Sequence, residues 1–490
     1  MKPIIILRAD GNSTIGLGHV IRSLALAEML VSEFECHFLI QDPMPYLEME
    51  ISKVCAKLIK LPTSTDFINE AHEIADKHLT KEDVVVLDGY NFTTDYQSIL
   101  RKRCTGLACI DDIHAYHFIA DLVINHTGGL TADLYSVEPY TRLLLGLKYA
   151  LLRKPFRSAT YQHTVDEREE NTLLIGMGGA DPGNHTLETV KFIQHSNNSF
   201  KLNILLGAGY RFKSVLQDYL KSSELKYEIF ESLNATDLVS LMAKTRMAIL
   251  PPSTIAYEYL SIGGVLYLNV IADNQLDAYE YLMGEGLAFP LESFPLKDPV
   301  AVDYSLSKQK SLLDGKQANR LRKEFRRLFI KLRRAEPADC EMYFIWANDP
   351  EVRKNSYNPD PIPRIEHDIW FSRKLSNKDT IMYLGEFYGS PFGQVRFEYA
   401  ADLSAWVVNF SLDKDFRGIG MGTALLDRAI TRLRYDNATV DKIIGYVKKD
   451  NPASEHAFLN LGFSKNSTDR YPDSFCFIID FHENDHDQRT

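Results

Sequence analysis

The stretch IIILRADGNSTIGLGHVIRSLALAEML, residues 4–30, decides the fold of the first part of the chain. Ile4 to Arg8 is a β-rich apolar run, and from about Gly18 to Val31 apolar residues recur at the spacing of an amphipathic helix. A strand that passes through a glycine-bearing turn into a helix is the first half of a βαβ unit. Outward from it the pattern repeats. Runs at Glu35 to Ile40, Val84 to Asp88, Leu107 to Asp111 and Leu122 to Asn125 alternate with helical stretches, which predicts a parallel, doubly wound sheet.

LLRKPF at 151–156, followed by a polar stretch up to Asn171, reads as a connection between lobes. A second series follows at Thr172 to Gly176, Lys201 to Leu206, Tyr227 to Phe230, Met247 to Leu250 and Val265 to Asn269. Two Rossmann-like lobes are expected, with ligands held beyond the carboxyl ends of the strands in the cleft between them. A third, α+β unit begins near Phe329 with the strand FIKLRRA, a helix carrying EMYFIWAND, and the strands GQVRFEYA and AWVVNFSL. The expected domains are 1–153, 154–328 and 329–490. The terminal FHENDHDQRT reads as a polar tail, with His482 and His486 in solvent.

With 490 residues, 45% apolar and 25% charged, the composition is that of a globular chain with several cores. A formal charge of −11 argues against steering onto nucleic acid or an anionic membrane. The eight Lys and Arg residues from Arg320 to Arg334 are interleaved with Leu321, Phe325, Leu328, Phe329 and Leu332, which suits a solvated helix face over an apolar stripe. Six scattered cysteines without a CxxC pair, and a start MKPIIILRAD without a long apolar region, lead us to expect reduced thiols and a cytoplasmic location. Charged residues interrupt every hydrophobic run before the roughly 20 residues of a membrane span.

Gly16 and Gly18 allow a tight turn before the first helix, and His19 and Arg22 then project from its first turn towards the cleft, where the helix start suits an anion. This segment, with DGYNF at 88–92, IDD at 110–112, LLRKPF, GMGGADPGN at 176–184 and IADNQ at 271–275, resembles the UDP-2,4-diacetamido-2,4,6-trideoxy-β-L-altropyranose hydrolases of pseudaminic acid biosynthesis, relatives of MurG-type glycosyltransferases. The resemblance spans about residues 1–325 and implies a GT-B-like pair of lobes. It further implies His19 as the general base that activates water, with Tyr90 and Asn274 bordering the sugar. Asn184 would contact the nucleotide and Glu258 the ribose hydroxyls, with Asp88 and Gln275 in the same substrate site. An imidazole titrates near neutrality, a carboxylate accepts from vicinal hydroxyls, and Gly178 and Gly179 leave backbone N–H groups open to phosphate. Ser253 and Thr254 can cap and donate at a diphosphate site, although Pro251 and Pro252 stand ahead of them where relatives carry a glycine, and proline has no N–H. IGGVLYLN, at 262–269, also departs from the relatives' GlyxPro.

DKDFRGIGMGTALL places Arg417, Gly418, Gly420 and Gly422 in an RGxGxG turn between a strand and a helix, a cradle of backbone N–H groups for a pyrophosphate. With NPASEHAFLNLGF about thirty residues later, it resembles the GNAT acetyltransferase family over about residues 330–480. That resemblance implies acetyl-CoA as acyl donor, held by Leu412, Arg417, Gly418, Gly420, Gly422 and Thr423, with Asn451 and Ser454 beside the pantetheine. WANDPEVRKNSYNPDPIPRIEHDIWF resembles the branch that acetylates the 4-amino group of a UDP-linked 4-amino-4,6-dideoxy sugar, through Trp346, Asn348, Arg353, His367 and Trp370. Phe458 stands where many relatives carry a tyrosine acid, so Tyr446, Tyr399 or solvent is left for that role, and His367 and Glu398 are the candidate bases.

Together the halves imply two consecutive steps on a shared small-molecule intermediate, with no metal, nucleic acid or membrane partner expected. Three alternatives remain open at this point: a MurG-like glycosyltransferase, a nucleotide-sugar-binding module serving the acetyltransferase, and the same two activities on a related sugar or acyl donor.

Overall fold

The computed structural model describes residues 2–11, 17–160, 168–196, 200–207, 209–231, 233–296, 298–437 and 439–481. Gly16, His482 and His486 lie outside the described residues, as does the side chain of Asn274. The chain divides into two compact units, 1–322 and 323–490.

The first unit contains two large parallel sheets, the two Rossmann-like lobes the alternating pattern predicts, and a short parallel pair of His117–Phe118 with Ser136–Val137. Across the first, the strands run Lys57–Leu61, Glu35–Gln41, Ile4–Ala9, Val84–Asp88, Gly106–Ile110, Leu122–Asn125 and Arg142–Leu145. Leu7 pairs with Phe38 on one side and Val86 on the other. Covered on both faces, the central strands are largely apolar runs; Ile5, Ile6 and Leu7 and all of Val84–Asp88 are buried. Chain order reverses between Ile4–Ala9 and Val84–Asp88, so their carboxyl ends mark the switch point at which α/β sheets bind ligands. The second sheet runs Lys226–Glu231, Lys201–Leu206, Glu169–Gly176, Thr245–Leu250, Val265–Leu268 and Phe289–Pro290, with its own switch point at Gly176. Within this unit the Tyr281 ring lies against Gly128 and Gly129, where a side chain at 128 would collide with it.

The second unit is an α+β domain. Its sheet runs Ile330–Arg334, Thr380–Phe387, Ser390–Ala400, Ala405–Leu412, Lys442–Lys448, Ser474–Asp480 and Ser464–Ser467. Every pairing is antiparallel except that of Ala405–Leu412 with Lys442–Lys448, which is parallel and short: Trp406, Val407 and Val408 meet Ile443, Ile444 and Gly445. Beyond Val408 and Gly445 the strands continue to Leu412 and Lys448 without pairing each other, which opens the sheet into a wedge. Helix Met421–Asp436 packs Leu425, Leu426, Ala429 and Leu433 into the core under it.

The basic run from Arg320 to Arg334 is more occupied than a solvated face. Helix Gln317–Leu328 crosses the division at 322, with Leu321 and Phe325 fully buried. In the first unit Arg320 bonds the Lys148 carbonyl and Asp314, and Arg322 bonds the Met29 carbonyl. In the second unit Arg326 bonds the Ile419 carbonyl at 2.6 Å and Arg327 pairs with Asp427. Among the described residues no helix is long and apolar enough to cross a membrane.

Candidate functional site

At the switch point of the first lobe, helix Gly18–Leu30 presents His19 and Arg22 to the end of strand Val84–Asp88. Asp88 Oδ1 lies 2.7 Å from His19 Nδ1, and Arg22 Nη2 lies 2.9 Å from the same nitrogen. An ionised carboxylate only accepts, and Arg22 Nη2 already donates to Asp88 Oδ1 at 2.5 Å. A hydrogen on Nδ1 points at Asp88, and in a neutral ring that tautomer leaves the lone pair on Nε2. Ser23 Oγ donates to the second Asp88 oxygen at 3.0 Å. Burial pushes the Asp88 carboxyl up, but Arg22 and the His19 hydrogen bond outweigh it and hold it below its ordinary value. Burial likewise opposes the Arg22 charge, and Asp88 with Asp112 raises it back above the usual value.

Asp88 was expected on the substrate. It is 0% exposed, with both oxygens engaged by His19, Arg22 and Ser23. Arg22, expected at the anion, is buried between Asp88 and Asp112. Tyr90 is 43% exposed, meets the His19 ring edge-on at 4.8 Å, and donates to Asp112 Oδ2 at 3.3 Å. Arg22, Tyr90, Asp111, Asp112 and Tyr116 line one pocket. His126, at the end of strand Leu122–Asn125, is a second buried histidine here. Its Nδ1 accepts from the Leu151 N–H, and burial, with Arg22 nearby, pushes it down to about 4.

In the second lobe Gly178 has φ +83°, and nothing lies within 4 Å of where a Cβ would stand at Gly178 or Gly179, so this backbone face is open. Gly207 is held close beneath: a Cβ there would collide with the Gly179 backbone, whose carbonyl accepts from Gly209 N at 2.9 Å. The start of helix His185–His195 is capped by Asp181, which accepts from His185 N and Thr186 N at 2.8 Å each. Asn184 adopts φ +56° and its Oδ1 accepts from Tyr210 OH at 2.5 Å. Ser253 occupies the N-cap position of helix Thr254–Ser261, but its side chain makes no capping hydrogen bond. Glu258 is buried, and its two oxygens accept from Arg153 at 2.6 and 2.8 Å, so the carboxylate is already engaged by a guanidinium. Gln275 Oε1 accepts from Ile271 N at 3.0 Å and closes the IADNQ turn on itself.

In the second unit the RGxGxG turn stands at the mouth of the wedge. Gly418 (φ +76°) and Gly420 (φ +85°) take conformations that disfavour a side chain, and Gly420 is the N-cap of helix Met421–Asp436, with Thr423 in its first turn. Arg417, expected to add charge at the pyrophosphate, is committed to the turn. It donates to the Leu412 carbonyl at 2.9 and 3.2 Å and pairs with Asp349 and Glu351 at 2.9 Å each. Gly422 sits against Leu412 and Phe410. Asn451 caps helix Pro452–Leu459 by accepting from Ser454 N at 3.1 Å and donates to Ser454 Oγ. Phe458 lies over Gly445, where a Cβ would collide with its ring, and stacks on Phe477.

His367 is 1% exposed, boxed by Phe344, Trp370 and Phe371, and burial lowers its proton affinity. Glu398 bonds Lys374 at 2.5 Å and Arg396 at 2.6 Å; burial would raise its carboxyl, yet these cations hold it below the ordinary value, so it accepts a proton poorly near neutrality. Asn348 exchanges hydrogen bonds with Ile362 and Arg353 donates to the Asn358 and Asp360 carbonyls, so both shape the 348–362 loop.

The wedge and the glycine turn agree with what family comparison finds. Residues 330–464 match the acetyltransferase (GNAT) domain family. The second unit thus has the GNAT fold. The chain is 25% identical over 402 residues to an uncharacterized protein of Methanocaldococcus jannaschii, covering 79% of this chain and 81% of that one. It is also 24% identical over 292 residues to the UDP-2,4-diacetamido-2,4,6-trideoxy-β-L-altropyranose hydrolase of Campylobacter jejuni, covering 58% of this chain and 97% of the relative. Among solved structures it resembles spermidine N-acetyltransferase from Vibrio cholerae in complex with CoA and spermine, at 17% identity and a TM-score of 0.28 over 31% of this chain and 95% of that one. The chain therefore joins a region homologous to a UDP-sugar hydrolase to a GNAT domain.

Asp112, Arg153 and His126 were not singled out from sequence. The first two lie inside quoted motifs, IDD and LLRKPF, but nothing local to His126 marks it as buried beside Arg22.

Proposed function

We propose that the chain acts twice on UDP-linked amino sugars. The second unit transfers the acetyl group of acetyl-CoA to the amine of a UDP-4-amino-4,6-dideoxy sugar, and the first unit hydrolyses the resulting UDP-2,4-diacetamido-2,4,6-trideoxy sugar to UDP and free sugar. The observation that carries the hydrolytic half is the His19–Asp88 pair at the switch point: Asp88 holds the Nδ1 hydrogen, and Nε2 takes the proton of the water that displaces UDP. Tyr90 and Asn274 border the sugar in this reading, and Gly178, Gly179, Ser253 and Thr254 serve the diphosphate. Glu258 and Asn184, with Arg153 and Tyr210 behind them, flank the nucleoside.

In the acetyl transfer the amine nitrogen attacks the thioester carbonyl carbon, the C–S bond breaks, and the electron pair leaves with the CoA sulfur. The wedge beyond Val408 and the Gly418–Gly420 turn support CoA binding there, with Asn451 and Ser454 along the pantetheine. With Glu398 neutralised and Phe458 in the core, solvent or Tyr446 completes the proton transfers.

The hydrolytic half is tested with the UDP-diacetamido sugar alone. Release of one UDP per sugar in water, with no acceptor added, supports it; release that requires a sugar or lipid acceptor makes the first unit a glycosyltransferase.

A further inference from the structure

The second unit gathers three metal-binding side chains that neither reaction uses. Cys340 opens helix Cys340–Ala347, while His367 and Asp368 are neighbours on helix Arg364–Ser376. Cys340 Sγ lies 3.9 Å from His367 Nδ1 and 3.3 Å from Asp368 Oδ1, and His367 Nδ1 lies 3.8 Å from that same oxygen. A tetrahedral zinc ion with a Zn–S bond of about 2.3 Å and Zn–N or Zn–O bonds of about 2.0–2.1 Å sets its ligands roughly 3.3–3.6 Å apart. The triangle thus matches one face of that tetrahedron to within a few tenths of an ångström.

A second observation concerns the histidine. His367 Nε2 is buried with no hydrogen-bond partner among the described residues, and the Nδ1 contacts at 3.8 and 3.9 Å are longer than ordinary hydrogen bonds. The nitrogen that a cation would engage is the loosely held Nδ1, while Nε2 stays unpaired whether or not an ion is bound. Cys340 is partly exposed, whereas the other five cysteines are buried, so it is the thiol that an ion can reach. Arg364 opposes binding, because it pairs with Asp368 at 2.8 Å, but its side chain is half exposed and it also pairs with Glu341, to which it can swing.

We propose that Cys340, His367 and Asp368 bind a divalent ion of borderline softness, Zn2+ above all, as a clip between the two helices with a fourth position left to water. On binding, the Cys340 thiol loses its proton to solvent and coordinates as thiolate. His367 coordinates through neutral Nδ1 with its hydrogen on Nε2, and Asp368 exchanges Arg364 for the ion. His367 is then a ligand and no longer a candidate base for the amine.

The test titrates reduced, chelator-treated full-length protein with Co2+, whose thiolate charge-transfer absorption reports a bound cysteine. The expected result is one Co2+ per chain with a charge-transfer band, bleached by Zn2+, abolished in Cys340→Ser, and formed with at least about tenfold weaker affinity in Asp368→Asn. Because the signal requires sulfur, binding at the histidines of the C-terminal tail does not imitate it. Absence of the band in the wild type, or an undiminished band in Cys340→Ser, overturns the proposal. Asp368→Asn alters an exposed carboxylate, so an unchanged affinity there overturns it even if the cysteine variant folds poorly.

Discussion

The base role proposed for His19 rests on what surrounds it. His19→Ala should lower sugar hydrolysis by roughly a hundredfold while leaving acetyl transfer intact, as loss of a positioned base does; UDP release by the variant at the wild-type rate would remove His19 from the mechanism. Asp88→Asn separates holding from chemistry. An amide can donate as well as accept, so it no longer dictates the His19 tautomer, and it leaves Arg22 short of one counter-charge. Hydrolysis should fall with kcat affected more than KM, together with a lower Tm. His126 gives a pH signature. Folded, it is held at about 4; unfolded, it returns to an ordinary value near 6.5. The unfolded chain alone therefore takes up a proton as pH falls through that window, and stability present above pH 6.5 is lost towards pH 4, by about 1.4 kcal/mol per unit and up to roughly 3 kcal/mol. His126→Asn should be less stable at pH 7 and flatter between pH 6.5 and 4, read by urea unfolding; equal slopes in the two proteins would contradict the assignment. The motif residues themselves were legible in sequence, because His19, Asp88 and Tyr90 sit at ends of apolar runs. Their partners were not. That Asp88 turns inward to His19 and Arg22 depends on pairing across 66–69 residues, which one sequence does not disclose.

At the scale of elements, the parallel strands were legible because burial on both faces makes them uninterrupted apolar runs, and the glycine turn because positive φ calls for glycine. The wedge was hidden: it arises from register, with pairing ending at Val408 while the strand continues to Leu412. Arg417 was legible as a residue and not as a tether, since Asp349 and Glu351 come from a different helix start. Gly420→Ala should strain the turn by about 1–2 kcal/mol, because its backbone is left-handed. Arg417→Ala should loosen it by releasing the Leu412 carbonyl. Both should raise KM for acetyl-CoA about tenfold or more, with sugar hydrolysis unchanged; a loss of hydrolysis in either would mean the turn serves more than acetyl-CoA.

For the whole molecule, each unit owns a core, and the proposed sites lie one in each, so each should work alone. Where the chain is cut matters. A fragment starting at Phe329 discards Arg326 and Arg327, which bond the Ile419 carbonyl of the glycine turn and Asp427 within the second unit. A fragment starting at Gln317 retains them and should melt higher and bind CoA more tightly, by thermal denaturation and calorimetry; indistinguishable fragments would show those arginines to be dispensable. The central claim, two consecutive reactions on one chain, is tested most directly by incubating the full-length protein with a UDP-4-amino-4,6-dideoxy sugar, with and without acetyl-CoA, and following products by mass spectrometry and NMR. The account predicts that with acetyl-CoA the acetylated nucleotide sugar forms first and is then converted to UDP and free diacetamido sugar in equal amounts, and that neither forms without it. An amino sugar returned unchanged in the presence of acetyl-CoA, or an acetylated nucleotide sugar that accumulates without releasing UDP, would contradict it.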